Sequence, residues 1–149
     1  MINDSVSPFI FRVFIVFFSV FVITGCSQEL ENAVRQRREN LELIGKSYLQ
    51  WYEVKQGAPA NADEFTQWML ESDDANTRGS ARESIVEGDV IMIWGGDLAD
   101  ASARGGYVLA FEAPVPAKGG YVVMGDASVT SMTAKEFAAA TMLPRPNEE

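Results

Sequence analysis

Carboxylates are the abundant reactive side chains of this 149-residue chain, which has no histidine and one cysteine, Cys26. The usual general base, the commonest metal ligand and every Ser-His or Cys-His dyad are therefore missing. A single thiol makes neither an internal disulfide nor a cysteine zinc site. Asp97, Asp100 and Asp126 fall in glycine-rich stretches where carboxylates could gather around a hard cation. Calcium, however, takes roughly six to eight oxygens, and "GGDLAD" lacks EF-hand spacing. Asp126 fits better as a turn residue bonding its own backbone. Two facing acids among Asp89, Asp97, Asp100, Glu112 and Asp126 would make a two-carboxylate hydrolase. "GGD" and "KGG" lack the spacing of a phosphate loop or dinucleotide fingerprint. Trp51, Trp68 and Trp94 are most economically core residues, with a ligand groove as the alternative. No metal, no cofactor and no catalysis are expected; the acid-only hydrolase is the rival.

Cys26 lies between an apolar run and a polar one. Arg12 and "VFIVFFSVFVI", residues 13–23, supply the cationic start and apolar core of a signal peptide. As a helix, residues 13–24 would span about 18 Å, short of the ~30 Å hydrocarbon core. The segment therefore reads as a leader before it reads as a membrane span. Ile23, Thr24, Gly25 and Cys26 resemble the bacterial lipobox, in which a small residue precedes a cysteine that is lipidated and becomes residue one. The thiol takes a diacylglyceryl group, and each buried methylene adds about 0.8 kcal/mol of membrane hold. The alternatives are a leader cysteine before ordinary cleavage, or an uncleaved anchor. The resemblance also implies that Ser27, standing where Asp favours inner-membrane retention, points to the outer membrane, facing the periplasm.

The net charge of −9 disfavours nucleic acid and anionic lipid. Residues 56–89 carry a net −6, whereas residues 27–55 are neutral. The acidic middle is most simply a solvated face, with an acidic docking surface as the rival. "RQRR", residues 35–38, could touch lipid headgroups, but acids within pairing distance favour a solvated helix face.

The fold class expected is α+β. Leu30, Val34, Leu41, Ile44, Tyr48 and Trp51 or Tyr52 recur at helical spacing through the proline-free stretch 28–55. Arg37 interrupts the stripe, so the first turns are expected to project as a stalk while the second half packs. Gly57 and Pro59 suit its end. Asn61 and Glu64 open a short helix burying Phe65, Trp68 and Met69. Residues 71–80 read as a polar loop, and Ser80 with Glu83 as the cap of a helix ended by Gly88. The period then changes to two. "DVIMIW" (89–94), "YVLAFE" (107–112), "YVVM" (121–124) and "SVTSMT" (128–133) read as four strands, the last two joined by a tight hairpin. "TAKE" caps a last helix over 134–142. A four-stranded antiparallel meander with one face against the long helix follows, burying Leu41, Ile44, Tyr48, Trp94, Leu109, Phe111 and Val123.

Asn40, Leu41, Glu42, Leu43, Ile44 and Gly45, with Tyr48 and Tyr52 after them, and "GDASVTSMTAKEF" (125–137) resemble two motifs of a bacterial pseudopilin-like family of unknown function. That family is related to the major pseudopilin of type II secretion. Glu42 stands where the family has Lys, and Ala127 where its turn has Gly. A pseudopilin keeps its apolar helix, whereas here that run precedes the expected cleavage site. The resemblance therefore implies a lipid-anchored globular relative rather than a filament subunit.

The expected organisation is a lipoprotein-type signal peptide over 1–25, one pseudopilin-like domain over 26–142 and a disordered tail over 143–149. The expected role is that of a membrane-anchored cell-envelope lipoprotein with a structural or protein-interaction function. It would be held to membrane lipid through acylated Cys26, with an envelope protein as partner. The alternatives are an uncleaved pseudopilin-like subunit of a secretion or transport apparatus, and the acid-only envelope hydrolase.

Overall fold

The computed structural model describes the backbone of residues 8–71, 75–100 and 102–144, and side chains within 28–71, 78–100 and 102–144. Contacts divide the chain into two units, Met1–Gln36 and Arg37–Glu149. Helix α1, Pro8–Lys55, contributes to both. In the first unit, residues 28–36 are exposed except for half-buried Val34, and Leu30 stands 65% exposed. The Arg35 guanidinium donates to Asn32 Oδ1 at 3.4 Å, one turn away.

The second unit is α+β. After α1 come α2 (Ala62–Glu71), α3 (Ala75–Val86), β1 (Val90–Met92), a 3-10 turn (Arg104–Gly106) and β2 (Tyr107–Glu112). They are followed by α4 (Val115–Lys118), β3 (Gly120–Met124), β4 (Val129–Met132), α5 (Ala134–Ala139) and β5 (Thr141–Met142). β1 to β4 form the expected antiparallel meander in chain order. β5 adds a short parallel pairing to the first residues of β2.

The helical stripe of α1 supplies one half of the main core. Leu41, Ile44, Tyr48 and Trp51 are buried in one cluster with Leu109, Ala110 and Val123 of the sheet. Neither the stripe nor the sheet face can leave water alone, so each covers the other. An aromatic hub closes one end: Phe65 of α2 stacks on Trp68 and meets Tyr48, Trp51 and Trp94 edge-on at centroid distances of 5.8 to 6.2 Å. The three tryptophans thus serve the core, although Trp68 and Trp94 are only half-buried.

Several expectations are corrected. α3 begins at Ala75, so residues 75–80 are helix rather than loop. Ser80 is therefore not a cap; its hydroxyl instead donates to Asn40 Oδ1 at 2.9 Å. "APVPAKGG" holds the short helix α4. Phe111 is half-buried and lies on the far face of the sheet, because β2 carries a bulge between Val108 and Ala110. A bulge shifts the period-two alternation by one residue, so Leu109 and Ala110 join the α1-side core, while Val108 and Phe111 join the other. That second face is covered too: Val115 of α4 and Phe137 of α5 pack with Val108, Val122 and Met124. α5 has the expected capping box but ends at Ala139. Leu143 and Pro144, expected to begin the tail, are held by the sheet: Leu143 is 2% exposed and donates its N–H to Val108 O at 2.9 Å. Pro144 O accepts from Asp97 N, also at 2.9 Å.

Candidate functional site

Cys26 and the residues before it, Ile23, Thr24 and Gly25, have side chains outside the described residues. Among the residues whose side chains are described, 28 onwards, no helical stretch is long and apolar enough to cross a membrane.

The three loop aspartates are each occupied by their own chain. Asp97 Oδ1 accepts from the Tyr52 hydroxyl at 2.7 Å and from Ala99 N–H at 2.8 Å. The Tyr52 bond foremost, then the Ala99 amide, hold its carboxyl below the usual range. Asp100 Oδ1 accepts from the hydroxyl and N–H of Ser102 at 2.6 and 3.0 Å, and Asp126 Oδ1 does the same with Ser128. Both carboxyls are likewise held low, first by the serine hydroxyl. These are turns in which an acid mimics a backbone acceptor. Among the described residues no three acids converge as a metal site would require.

Asp89 and Glu112 do come together. Antiparallel pairing sets Val90 opposite Glu112 and binds Ala113 N–H to Asp89 O at 2.8 Å. This places the start of β1 beside the end of β2. The two acids line one open cleft of about 300 Å³. α1 contributes Arg37, Asn40 and Leu41 to its wall, α3 contributes Ser84, and Val90 and Pro114 add apolar surface. Its size is at the low end for a small-molecule site.

Glu112 is the fixed member. Its side chain is 13% exposed, and Oε2 accepts from the Tyr121 N–H at 2.9 Å. Gly120 leaves room for this, because a Cβ there would stand 2.8 Å from Oε2. The glycines of "KGG" therefore serve close backbone approach. Oε1 faces Arg37 Nη1 at 3.7 Å, an ion pair beyond hydrogen-bond distance. The Arg37 side chain is 59% exposed, and the Asp89 carboxylate takes no hydrogen bond from a described residue.

Sequence reasoning named Asp89 and Glu112 but passed over Arg37 as a cleft residue. Its signal was the break it makes in the apolar stripe of α1, where a charge on the packed face has to meet something polar.

The architecture defines a helix-on-meander α+β domain with a mixed-charge cleft at one end of the sheet. No protein-family model matches the chain, and no curated protein or solved structure matches it either.

Proposed function

We propose that this chain is a cell-envelope lipoprotein whose folded unit works by binding a partner or ligand rather than by catalysis. The carrying observation is Cys26 directly after the apolar run 13–23, in a lipobox-like Ile-Thr-Gly-Cys context. Acylation there anchors the protein durably, since two or more acyl chains hold where one does not. The second of the two units begins at Arg37, after that cysteine in the chain. Ser27 favours the outer membrane and a periplasm-facing domain. The pseudopilin-like resemblance fits a globular relative, and the uncleaved subunit of a secretion apparatus is the alternative that keeps the apolar run.

Labelled palmitate and the mass of the mature N-terminus test this reading. The wild type should take up label and begin at an acylated Cys26, whereas Cys26→Ser should take up none. An unlabelled wild type retaining residues 1–25 would overturn the lipoprotein in favour of the uncleaved subunit.

A second reading, the acid-only hydrolase, gains support from the cleft shared by Asp89 and Glu112. Against it, Glu112 Oε2 is fixed by a backbone amide, while Oε1 only faces the Arg37 guanidinium across 3.7 Å. That arrangement suits a fixed acceptor better than a proton shuttle. Hydrolysis of any envelope glycan or ester by the wild type, lost in Asp89→Asn, would establish the enzyme.

A further inference from the structure

We propose that the cleft between α1, α3 and the β1–β2 edge binds a small zwitterion, a short peptide with both termini free. The inference deepens the binding reading above and does not depend on the lipid anchor.

The cleft brings opposite charges together without satisfying them. Arg37 approaches Glu112 Oε1 only to 3.7 Å, so the pair attracts without a hydrogen bond. A guanidinium has five N–H donors in a planar fork that matches a carboxylate at two points. With 59% of its side chain exposed, Arg37 can offer that fork to a ligand carboxylate. On the other side stand two acceptors, the Asp89 carboxylate and Glu112 Oε1. An ammonium group carries three donors and no acceptor, which suits them. Leu41, Val90 and Pro114 give apolar surface between the charged ends. A ligand bearing one charge of each sign satisfies both ends, whereas a simple cation competes with Arg37 and a simple anion meets two acids.

The site is also built rather than incidental. Glu112 cannot swing away freely, because Oε2 is held by the Tyr121 N–H and the missing Cβ of Gly120 keeps its seat open. Arg37 lies on the same face of α1 as Leu41 and Ile44, which are anchored in the core. One acceptor and the root of the donor are thus pre-organised, which lowers the ordering cost of binding.

The test is calorimetric titration of the full chain in detergent micelles with L-alanyl-L-alanine, its N-acetyl form and its C-terminal amide. The free dipeptide should bind, and each blocked form should bind roughly threefold to fivefold more weakly, as expected when a largely solvent-exposed charged contact is lost. Arg37→Gln should abolish discrimination against the amide, and Asp89→Asn should weaken discrimination against the acetyl form. Both variants should keep the wild-type circular dichroism and urea midpoint, since both side chains are largely in water. Failure of the free dipeptide to bind at millimolar concentration would overturn the proposal, as would equal binding of all three probes. Undiminished binding by both variants would place the ligand elsewhere and overturn it too. Palmitate labelling is untouched by any of these results, so the anchor and the cleft fail separately.

Discussion

Gly45 of α1 meets Ala127 of the β3–β4 turn so closely that a Cβ on Gly45 would stand 2.9 Å from both the Cα and the Cβ of Ala127. The same Cβ would lie 2.7 Å from Val123 Cγ1. The helix gives up its side chain so that the hairpin can touch its backbone. The turn holds the opposite exception, for Ala127 has φ 66, the left-handed region that favours glycine. A three-residue hairpin loop asks for such a residue at its end, and Ala127 fills it while burying its methyl at 8% exposure.

Gly45→Ala should therefore destabilise the protein, although alanine is the better helix former. The propensity gain is about 1 kcal/mol. Overpacking against backbone costs about 1–3 kcal/mol, and the turn's Cα cannot rotate aside. A net loss of up to about 2 kcal/mol should show as a lower urea midpoint at unchanged slope. Adding Ala127→Gly removes one of the three clashing atoms, so the double variant should lose less than the single losses added together. Strict additivity would mean the two residues do not press on each other.

Tyr48 offers a gain rather than a loss. It is fully buried, and its hydroxyl has no hydrogen-bond partner among the described residues. An unmet buried hydroxyl costs about 1–3 kcal/mol, so Tyr48→Phe should leave stability unchanged or raise it. Burial also pushes the phenol's ionisation up. A raised folded value means the folded state keeps its proton longer than the unfolded chain does. The stability this contributes is full below the unfolded value of about 10 and drains away as pH rises towards the folded one. Tyr48→Phe should flatten the alkaline limb of the stability profile, measured by thermal melts between pH 8 and pH 11, values set by that window. An unchanged limb would assign it to other groups.

What the sequence could disclose follows from the range of the forces involved. Leu41, Ile44 and Tyr48 were legible because helical period is local, and the Thr133–Glu136 capping box because it spans one turn. The start of α3 was not. "ANTRG" is a poor helix by propensity, with Gly79 inside it. Arg78 nevertheless reaches Gln50 Oε1 at 2.6 Å and stands 5.1 Å over the Trp68 ring. Tertiary contacts override the local preference there. β5 has only two residues, too few for any period to show. The bulge at Leu109 reversed the expected face of Phe111, and no alternation pattern announces a bulge. The cleft was half legible: Asp89 and Glu112 were named, but only register could pair them, and register is set by the whole sheet.

The capping box makes an acid-side prediction. Glu136 Oε2 accepts from the Thr133 N–H at 2.7 Å and from its hydroxyl at 2.8 Å, while Thr133 Oγ1 accepts from Glu136 N–H at 3.2 Å. The backbone bond first, then the hydroxyl, lower the Glu136 carboxyl from its usual 4.5. A lowered folded value means the contribution is present above about pH 4.5 and lost as pH falls through the folded value. Thr133→Val removes the hydroxyl and keeps the N–H. An NMR titration should then find the Glu136 carboxyl moved back part of the way towards 4.5, with α5 amides exchanging faster. A carboxyl that stays put in the variant would mean that the backbone bond alone sets it.

Glu112 allows its two duties to be separated. As an acceptor it satisfies the Tyr121 N–H at 2.9 Å; as a charge it faces Arg37 and the open cleft. Glu112→Gln keeps a carbonyl oxygen in the same place, so the amide of β3 stays bonded. The ion pair it loses is loose and half in water, and such pairs contribute at most about 1 kcal/mol. Glu112→Ala instead leaves the N–H unmet beside a vacated seat, at a cost of about 1–3 kcal/mol. The expected order of urea midpoints is wild type close to Glu112→Gln, with Glu112→Ala well below. The amide proton of Tyr121 reports the cause directly, since it should exchange slowly in the first two and quickly in the third. If glutamine proves as damaging as alanine, the charge itself holds the sheet end together. The Arg37 contact would then be a structural clamp rather than a pair poised to open for a ligand.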